Sequence, residues 1–559
     1  MLLPVTKDEM QGLGWNKLDI ILVTGDTYID SPYIGVSVIG SVLAEKGYKV
    51  GIIAQPDIQS EVDIMRLGEP SLFWGVTAGS VDSMVANYTA LMKKRQNDDY
   101  TPGGINNKRP DRASIVYTNL IKRYANDKKP IVLGGIEASL RRIAHYDYWS
   151  DKIRKSILFD SKADVLVYGM AEKSIAELAD RVAKNTSYQD VRGICYISNA
   201  PAKDFLEIPA YDEVSKNKNL FSEMFKTFYD NSDPKTAKGL YQKHDNRFLV
   251  CNPPAETLLS SELDHIYDIN YTREIHPYYA KLGNVKAQAT IKFAITSHRG
   301  CYGECNFCSI SVHQGTTVVS RSQKSIVREA ERIAKLKGFK GYITDVGGPT
   351  ANMYEIECPK KLKDGACKNK RCVFPQACDS LSINHKKQIE LLRKISEIKE
   401  VKKVFVASGI RHDMVLADKK MGRKFLESIS SANISGQLKI APEHTENTVL
   451  SLMGKPKNEL LLKFKEQFDK INRKFNQYLT YYFIAAHPGC GPKEMSKMKS
   501  FFRTKLKCSP EQVQIFTPLP STYSALMYHT EKNPFINRPI FVEKNLANKR
   551  KQKNTVSRH

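Results

Sequence analysis

Hydrophobic positions fall into two regimes along this 559-residue chain. In the first half, short apolar runs are bounded by polar turns: Leu18 to Gly25, Lys49 to Ala54, Ser71 to Val76, Ile131 to Gly135 and Asp164 to Tyr168. Continuous runs of this length are the pattern of strands buried on both faces of a parallel sheet. A helical stretch from Gly35 to Gly47 separates the first two. The pattern therefore predicts a doubly wound α/β domain over residues 1–200, followed by a connecting segment, 201–286, packed on the core. From residue 287 strands and helices alternate again, with strands at Gln288 to Thr296, Gly341 to Val346, Lys403 to Ala407, Gln437 to Ile440, Tyr478 to Ala485 and Gln512 to Phe516. Between the first two, Ile326, Ala330, Ile333 and Ala334 share one helix face that stops at Gly338. Six such units predict an incomplete (β/α)6 barrel over 287–530, interrupted by a lysine-rich, helix-poor insertion at 355–380. Residues 531–559 read as a basic, disordered tail.

Charge narrows the picture only slightly. The 85 basic side chains outnumber 60 acidic ones, a formal +25 that would attract nucleic acid, phosphate-rich ligands or acidic proteins. Lysines are spread along the whole chain, so nucleic-acid binding has only weak support; Lys549 to Lys553 is the one concentrated run. No apolar run approaches the roughly 20 residues that span a bilayer. Met1 to Trp15 lacks the order of a secretory signal. The expectation is a cytoplasmic protein with no membrane partner, whose eleven cysteines are metal ligands or buried thiols.

Three of those cysteines lie just after the first strand of the second regime, where Cys301, Cys305 and Cys308 form a C-x3-C-x2-C loop. Structural zinc and fully ligated iron–sulfur clusters take four protein ligands. Three on a cubane leave one iron open for a substrate or cofactor. A zinc site completed by His313 is the competing reading. The spacing, with Phe307 before the last cysteine, resembles the signature of radical S-adenosylmethionine (SAM) enzymes. That resemblance implies a 4Fe-4S cluster whose open iron chelates SAM. One electron then cleaves the sulfonium to methionine and a 5′-deoxyadenosyl radical.

The other strand ends carry groups suited to SAM. Gly347-Gly348-Pro349 resembles the superfamily's glycine motif, where bare backbone meets the methionyl amino group; a plain tight turn is the alternative. Ser408 suits a ribose and Arg411 a carboxylate, unless they form a cap and an ion pair. Glu443 suits SAM hydroxyls, while His444 either faces substrate or is a satisfied structural histidine. His487-Pro488-Gly489 closes the fifth strand. A second set, Cys358, Cys367, Cys372 and Cys378, has C-x8-C-x4-C-x5-C spacing. It leaves structural zinc, an auxiliary iron–sulfur cluster and unligated thiols open.

Longer motifs narrow the resemblance. Gly25 to Pro32, Gly134 to Arg142, Ala144 to Asp151 and His298 to Gly315 are similar to stretches of the YgiQ-type radical SAM family, with likeness extending over about residues 15–535. Ser31 departs from the pattern, since many relatives carry histidine there. The resemblance implies an accessory N-terminal domain, a SAM-using core and an electron donor such as flavodoxin or ferredoxin. It assigns no substrate. The N-terminal layout also resembles cobalamin-binding domains, whose cobalt-ligating motif is D-x-H-x-x-G. Here Asp30-Ser31-Pro32-Tyr33-Ile34-Gly35 has proline in the histidine place, so cobalamin is disfavoured. NAD and ATP are disfavoured too, because neither G-x-G-x-x-G after the first strand nor a P-loop occurs. The dense polar block Glu137, Arg141, Arg142, His145, Asp147 and Asp151 suits either an anionic substrate or interdomain salt bridges. Two functions follow: a radical SAM enzyme acting on an unidentified substrate, or a metal-containing RNA-binding or redox-regulatory protein with structural clusters.

Overall fold

The computed structural model describes residues 2–557 apart from 509 and 511. The chain divides into two compact units, Met1–Glu256 with Ile269–Lys292, and Thr257–Asp268 with Phe293–His559.

The main sheet of unit 1 has nine strands: β1 (Ile20–Thr24), β2 (Val50–Ala54), β3 (Phe73–Thr77), β4 (Ile131–Gly134), β5 (Val165–Val167), β6 (Ile194–Ser198), β7 (Leu206–Ile208), β8 (Leu240–His244) and β9 (Arg247–Cys251). They form one sheet in the order β2-β1-β3-β4-β5-β6-β9-β8-β7. The first five are parallel, with Ile20 opposite both Val50 and Phe73. Every residue of β1 and β2 is buried, which is why these strands read as continuous apolar runs.

The segment 201–286 is not a separate connector. Its first part supplies β7 to β9, which extend the sheet, and Ser260–Asp268 is a helix of unit 2. In β8, Leu240, Gln242 and His244 are buried while Lys243 is exposed. That alternation, with polar residues on the buried face, conceals a strand from a search for apolar runs.

The polar block turns out to be spent inside unit 1. Glu137 accepts hydrogen bonds from the amides of Ser83 at 2.9 Å and Ser114 at 3.1 Å. Arg141 pairs with buried Asp82, and Asp147 pairs with Arg112 at 2.8 Å. Arg142 is sandwiched between Tyr168 and Phe228, 4.5 and 4.4 Å from their ring centres. Asp151 accepts from the Tyr146 hydroxyl at 2.6 Å. Burial, helped by Arg141, pushes the His145 imidazole down to about 3 and keeps it neutral.

Unit 2 carries six parallel elements in chain order: β10 (Ala294–Thr296), β11 (Asp345–Gly347, preceded by Tyr342–Ile343), β12 (Lys403–Val404), β13 (Gln437–Glu443), β14 (Tyr478–Ala485) and β15 (Gln512–Ile515). β10 pairs with β11, Tyr342–Ile343 with β12, β13 with β14 and β14 with β15, all in parallel. A parallel bridge between Ile410 and Ile440 joins the third element to the fourth. Intervening helices such as Gln323–Ala334, Lys386–Ser396 and Gly422–Ala432 contribute Ile326, Leu391 and Phe425 to a continuous core. This is the expected partial barrel, with one local correction. The strand predicted from Gln288 is a helix over Lys286–Ile291 before β10 begins at Ala294, because Ala287, Gln288 and Ala289 favour helix.

The tail differs as well. Leu546–Val556 is a helix whose Lys549, Gln552 and Val556 are buried along one face. Lys549 Nζ donates to Tyr528 Oη at 2.8 Å and lies 4.6 Å from that ring's centre. Spacing by three and then four residues aligns one polar-tipped stripe, and long side chains bury their aliphatic stems readily. Residues 558 and 559 lie outside the described residues.

Candidate cofactor site at the strand ends

The strand pairing that builds the barrel brings the cysteine loop against the glycine turn. Thr296 is the register partner of Gly347, and the Ser297 amide donates to Gly347 O at 2.7 Å. One residue on, His298 Nε2 bonds Thr350 O at 3.0 Å and Nδ1 faces Ser297 Oγ at 2.9 Å. Thr350 Oγ1 then reaches Cys301 Sγ at 3.6 Å. Gly348 lies so close to this histidine that a Cβ there would fall 2.6 Å from His298 Nε2 and 2.7 Å from its carbonyl oxygen. Gly348→Ala is therefore expected to destabilise the protein by about 1–3 kcal/mol through overpacking and to break the His298–Thr350 bond. Thermal unfolding and SAM equilibrium binding, compared with wild type, check both effects.

The loop is pinned from its far side. The Asn306 amide donates to Met453 O at 2.9 Å, Asn306 Nδ2 to Leu452 O at 2.8 Å, and the Ser524 amide to Asn306 O at 2.8 Å. Between these anchors, the point that a Gly303 Cβ would take lies 3.1 Å from Cys301 Sγ, 3.7 Å from Cys305 Sγ and 3.0 Å from Arg411 Nη1. Two sulfurs and a guanidinium thus enclose one small space. Burial pushes the Cys308 thiol up to about 12, and Cys305 and Cys301 push the same way. A mutually repelling thiol set of this kind is held as thiolate by a cationic centre. Among the described residues no three His, Cys, Asp or Glu side chains converge tightly enough for a single metal ion. Three thiols in one short loop supply the donor type that iron–sulfur clusters take, so the residues present fit such a centre.

The remaining predicted residues divide by what they already hold. Ser408 Oγ donates to Asp345, while the Ser408 amide reaches Asp345 Oδ1 at 3.1 Å, so the hydroxyl retains only acceptor capacity. Arg411 grips Asp413 through Nε at 3.1 Å and Nη2 at 2.6 Å and turns Nη1 toward Cys305 Sγ at 3.7 Å. Glu443 sits at positive φ (71°), half-buried, its main chain paired with Phe483 in the β13–β14 ladder and its carboxylate without a hydrogen bond among the described residues. Burial raises its carboxyl from 4.5 to about 7, against the lowering influence of Lys455 and Arg411. Because the folded value exceeds the unfolded one, this group's stabilising contribution is full in acid and is lost as pH rises from 4.5 through about 7. Glu443→Gln is expected to flatten that loss, which a Tm series from about pH 5 to 8 would read.

His444 is structural: Nδ1 accepts from the Glu446 amide at 3.0 Å and Nε2 faces buried Cys490 Sγ at 3.3 Å. His487 likewise bonds Ser524 Oγ at 2.7 Å. In the second cysteine set, Cys358 and Cys372 pack around Tyr302, Val373 and Leu381, whereas Cys378 is drawn below its ordinary thiol value by the Ser380 amide, despite opposing burial, with Lys370 assisting. All four are free thiols, Cys358 buried and Cys367, Cys372 and Cys378 partly buried. Residues missed in the sequence are His298, Thr350, Asn352 and Asp413. Of these, His298 was visible as part of the His-Arg-Gly-Cys run, and Asp413 as a carboxylate two places after Arg411.

In unit 1 the order β2-β1-β3-β4 reverses between β1 and β3, the position where doubly wound sheets take ligands. The Asp30 to Gly35 stretch after β1 offers no imidazole. Asp30 instead accepts from Ser37 Oγ at 3.0 Å and the Thr272 amide at 2.8 Å, and Ser31 and Pro32 are buried.

Comparison with known proteins places this arrangement. The family described as Radical SAM N-terminal matches residues 2–294. A UPF0313 protein of Fusobacterium nucleatum is 55% identical over 99% of this chain and 98% of its own length. One from Thermotoga neapolitana is 50% identical over 100% and 98%. Among solved structures, the radical SAM methyltransferase TsrM of Kitasatospora setae, with cobalamin and a 4Fe-4S cluster bound, has a TM-score of 0.53 at 14% identity, covering 91% of this chain and 74% of that one. The cobalamin-dependent SAM radical enzyme OxsB, with aqua-cobalamin and SAM bound, has a TM-score of 0.50 at 13% identity, covering 97% and 56%. These folds overturn the expectation against cobalamin, which rested on one missing histidine: the architecture is shared with enzymes that hold it. Among the described residues no helix is long and apolar enough to cross a membrane. The chain belongs to the Radical SAM N-terminal family, alongside the UPF0313 proteins, and is a radical SAM enzyme.

Proposed function

We propose that Cys301, Cys305 and Cys308 ligate a 4Fe-4S cluster and that the protein cleaves SAM reductively to act on an as yet unidentified substrate. The observation that carries this reading is the joining of the cysteine loop to the glycine turn through Thr350 Oγ1 and Cys301 Sγ, 3.6 Å apart. When bound, the cluster supplies one electron to SAM, breaking a sulfonium C–S bond to give methionine and a 5′-deoxyadenosyl radical. The chain's own residues do the positioning. Gly347, Gly348 and Pro349 present bare backbone toward the methionyl group beside the cysteine loop. Ser408, its proton given to Asp345, accepts from a ribose hydroxyl. The Glu443 carboxylate, without a hydrogen bond among the described residues, accepts from the other.

Unit 1 is the cobalamin-binding module in this reading, supported by its sheet order and by the cobalamin held in TsrM and OxsB. It would bind cobalamin with no imidazole from the Asp30 to Gly35 stretch. Anaerobic reconstitution with iron and sulfide, followed by dithionite and SAM, is expected to yield 5′-deoxyadenosine. Zinc alone with no SAM cleavage would sink the reading. Added hydroxocobalamin is expected to co-purify in about equimolar amount, and a chain that retains none after gel filtration would remove the cobalamin part.

A further inference from the structure

Arg411 does something other than await a carboxylate. Its guanidinium has five N–H groups, and those on Nε and Nη2 are directed at Asp413. Nη1 faces Cys305 Sγ at 3.7 Å. The main chain is clamped as firmly as the side chain: Arg411 N donates to Asn352 Oδ1 at 2.7 Å, and Asn352 Nδ2 returns a bond to Arg411 O at 3.1 Å. The same Asn352 amide meets His385 Nε2 at 3.3 Å, and His385 Nδ1 meets Asp418 Oδ2 at 2.8 Å. An Nε2 that accepts from an amide leaves the proton on Nδ1, directed at Asp418, which fixes the ring's tautomer. Arg411, Asn352, Asp413, His385 and Asp418 are all buried.

The three sulfurs are treated unequally. Cys301 Sγ receives the Gly303 amide at 3.3 Å and faces the Thr350 hydroxyl, both neutral groups. Cys305 is the sulfur that the Arg411 guanidinium faces, at 3.7 Å, and the same charge acts less strongly on Cys301. Hydrogen bonds and charge at the ligating sulfurs are main determinants of an iron–sulfur cluster's potential, and a charge in a dry interior acts more strongly than one in water.

We propose that Arg411, held by Asp413 and by the Asn352–His385–Asp418 chain, is a positioning residue that raises the reduction potential of the cluster through Cys305. This rests on the cluster ligation proposed above. One-electron reduction adds a negative charge to the cluster, and the fixed guanidinium stabilises that added charge. Asp413 offsets part of the effect, so the two side chains set the potential in opposite senses.

The test is a mediated redox titration of the reconstituted full-length protein without SAM, using dithionite as reductant and the EPR signal of the reduced cluster as readout. Arg411→Gln is expected to make reduction about tenfold less favourable, a downward shift of about 59 mV for one electron. Asp413→Asn is expected to shift the potential upward. Iron and sulfide content, measured on each variant, separates loading from tuning. An unchanged or raised potential in loaded Arg411→Gln overturns the proposal. If that variant does not load, an unchanged or lowered potential in Asp413→Asn overturns it instead. A wild-type protein that takes up no cluster overturns the ligation itself, and this inference with it.

Discussion

Replacing Cys301, Cys305 and Cys308 together with alanine is expected to leave a folded protein that holds no cluster at this site and forms no 5′-deoxyadenosine. The fold should survive because the loop is anchored by groups other than its thiols. Asn306 is tied to Met453 and Leu452, Ser524 donates to Asn306 O, and the Ser297 amide is tied to Gly347. The chemistry should vanish because a cluster has no other ligands in that loop. Iron and sulfide analysis, visible absorption and chromatographic detection of 5′-deoxyadenosine after dithionite and SAM measure the two effects separately. Continued SAM cleavage in the triple variant would refute the ligand assignment. Replacing Cys358, Cys367, Cys372 and Cys378 is expected to leave SAM interaction at the first cluster detectable, since none of those sulfurs is among the atoms nearest the space that Cys301, Cys305 and Arg411 enclose at Gly303.

The largest expected effect on stability lies in unit 1, at Arg141→Ala. Arg141 pairs with Asp82, and both are buried. The same carboxylate caps the helix Ser83–Asn87, accepting from Met84 N at 3.0 Å. Removing the guanidinium leaves a charged group in the interior, compensated by the amides of Met84 and Val85 at 3.0 and 3.3 Å. Breaking a buried pair from one side typically costs about 3–5 kcal/mol. Arg181→Ala supplies the contrast, because its partners Glu177 and Asp190 are at the surface, where a pair contributes about 0–1 kcal/mol. Urea denaturation followed by circular dichroism would compare them. Equal small losses would mean that the Arg141 pair is solvated in a way its burial does not suggest.

These two cases show how unevenly the molecule could be read in advance. The cysteine loop was legible because a metal site demands particular residue types at short spacing, and strand placement was legible wherever both faces of a strand are apolar. Arg141 was visible only as part of a dense polar block, equally suited to a substrate or to salt bridges. What decides its role is Asp82, 59 residues away in sequence. Arg411 is similar. A guanidinium at a strand end suggested a carboxylate ligand, yet Asp413 occupies it and Cys305, 106 residues distant, lies beside it. The cobalamin expectation failed for a different reason. One missing ligand was weighed against a whole architecture, and the architecture is what the cobalamin-holding enzymes share.

By itself, the sequence determined the two α/β regimes, most strand positions, the triad Cys301, Cys305 and Cys308, and the likeness to radical SAM proteins. Those features depend on local periodicity and on chemical identity, both of which are written in consecutive residues. Only the tertiary structure decided that 201–256 completes a nine-stranded sheet and that the basic tail packs through Lys549, Gln552 and Val556. It also decided that the polar block is consumed within unit 1, and that Arg411 faces a thiol. Each of these depends on pairings between residues far apart in the chain. Such pairings are selected when buried charges and donors must find partners in a close-packed interior, a requirement that no single stretch of sequence displays.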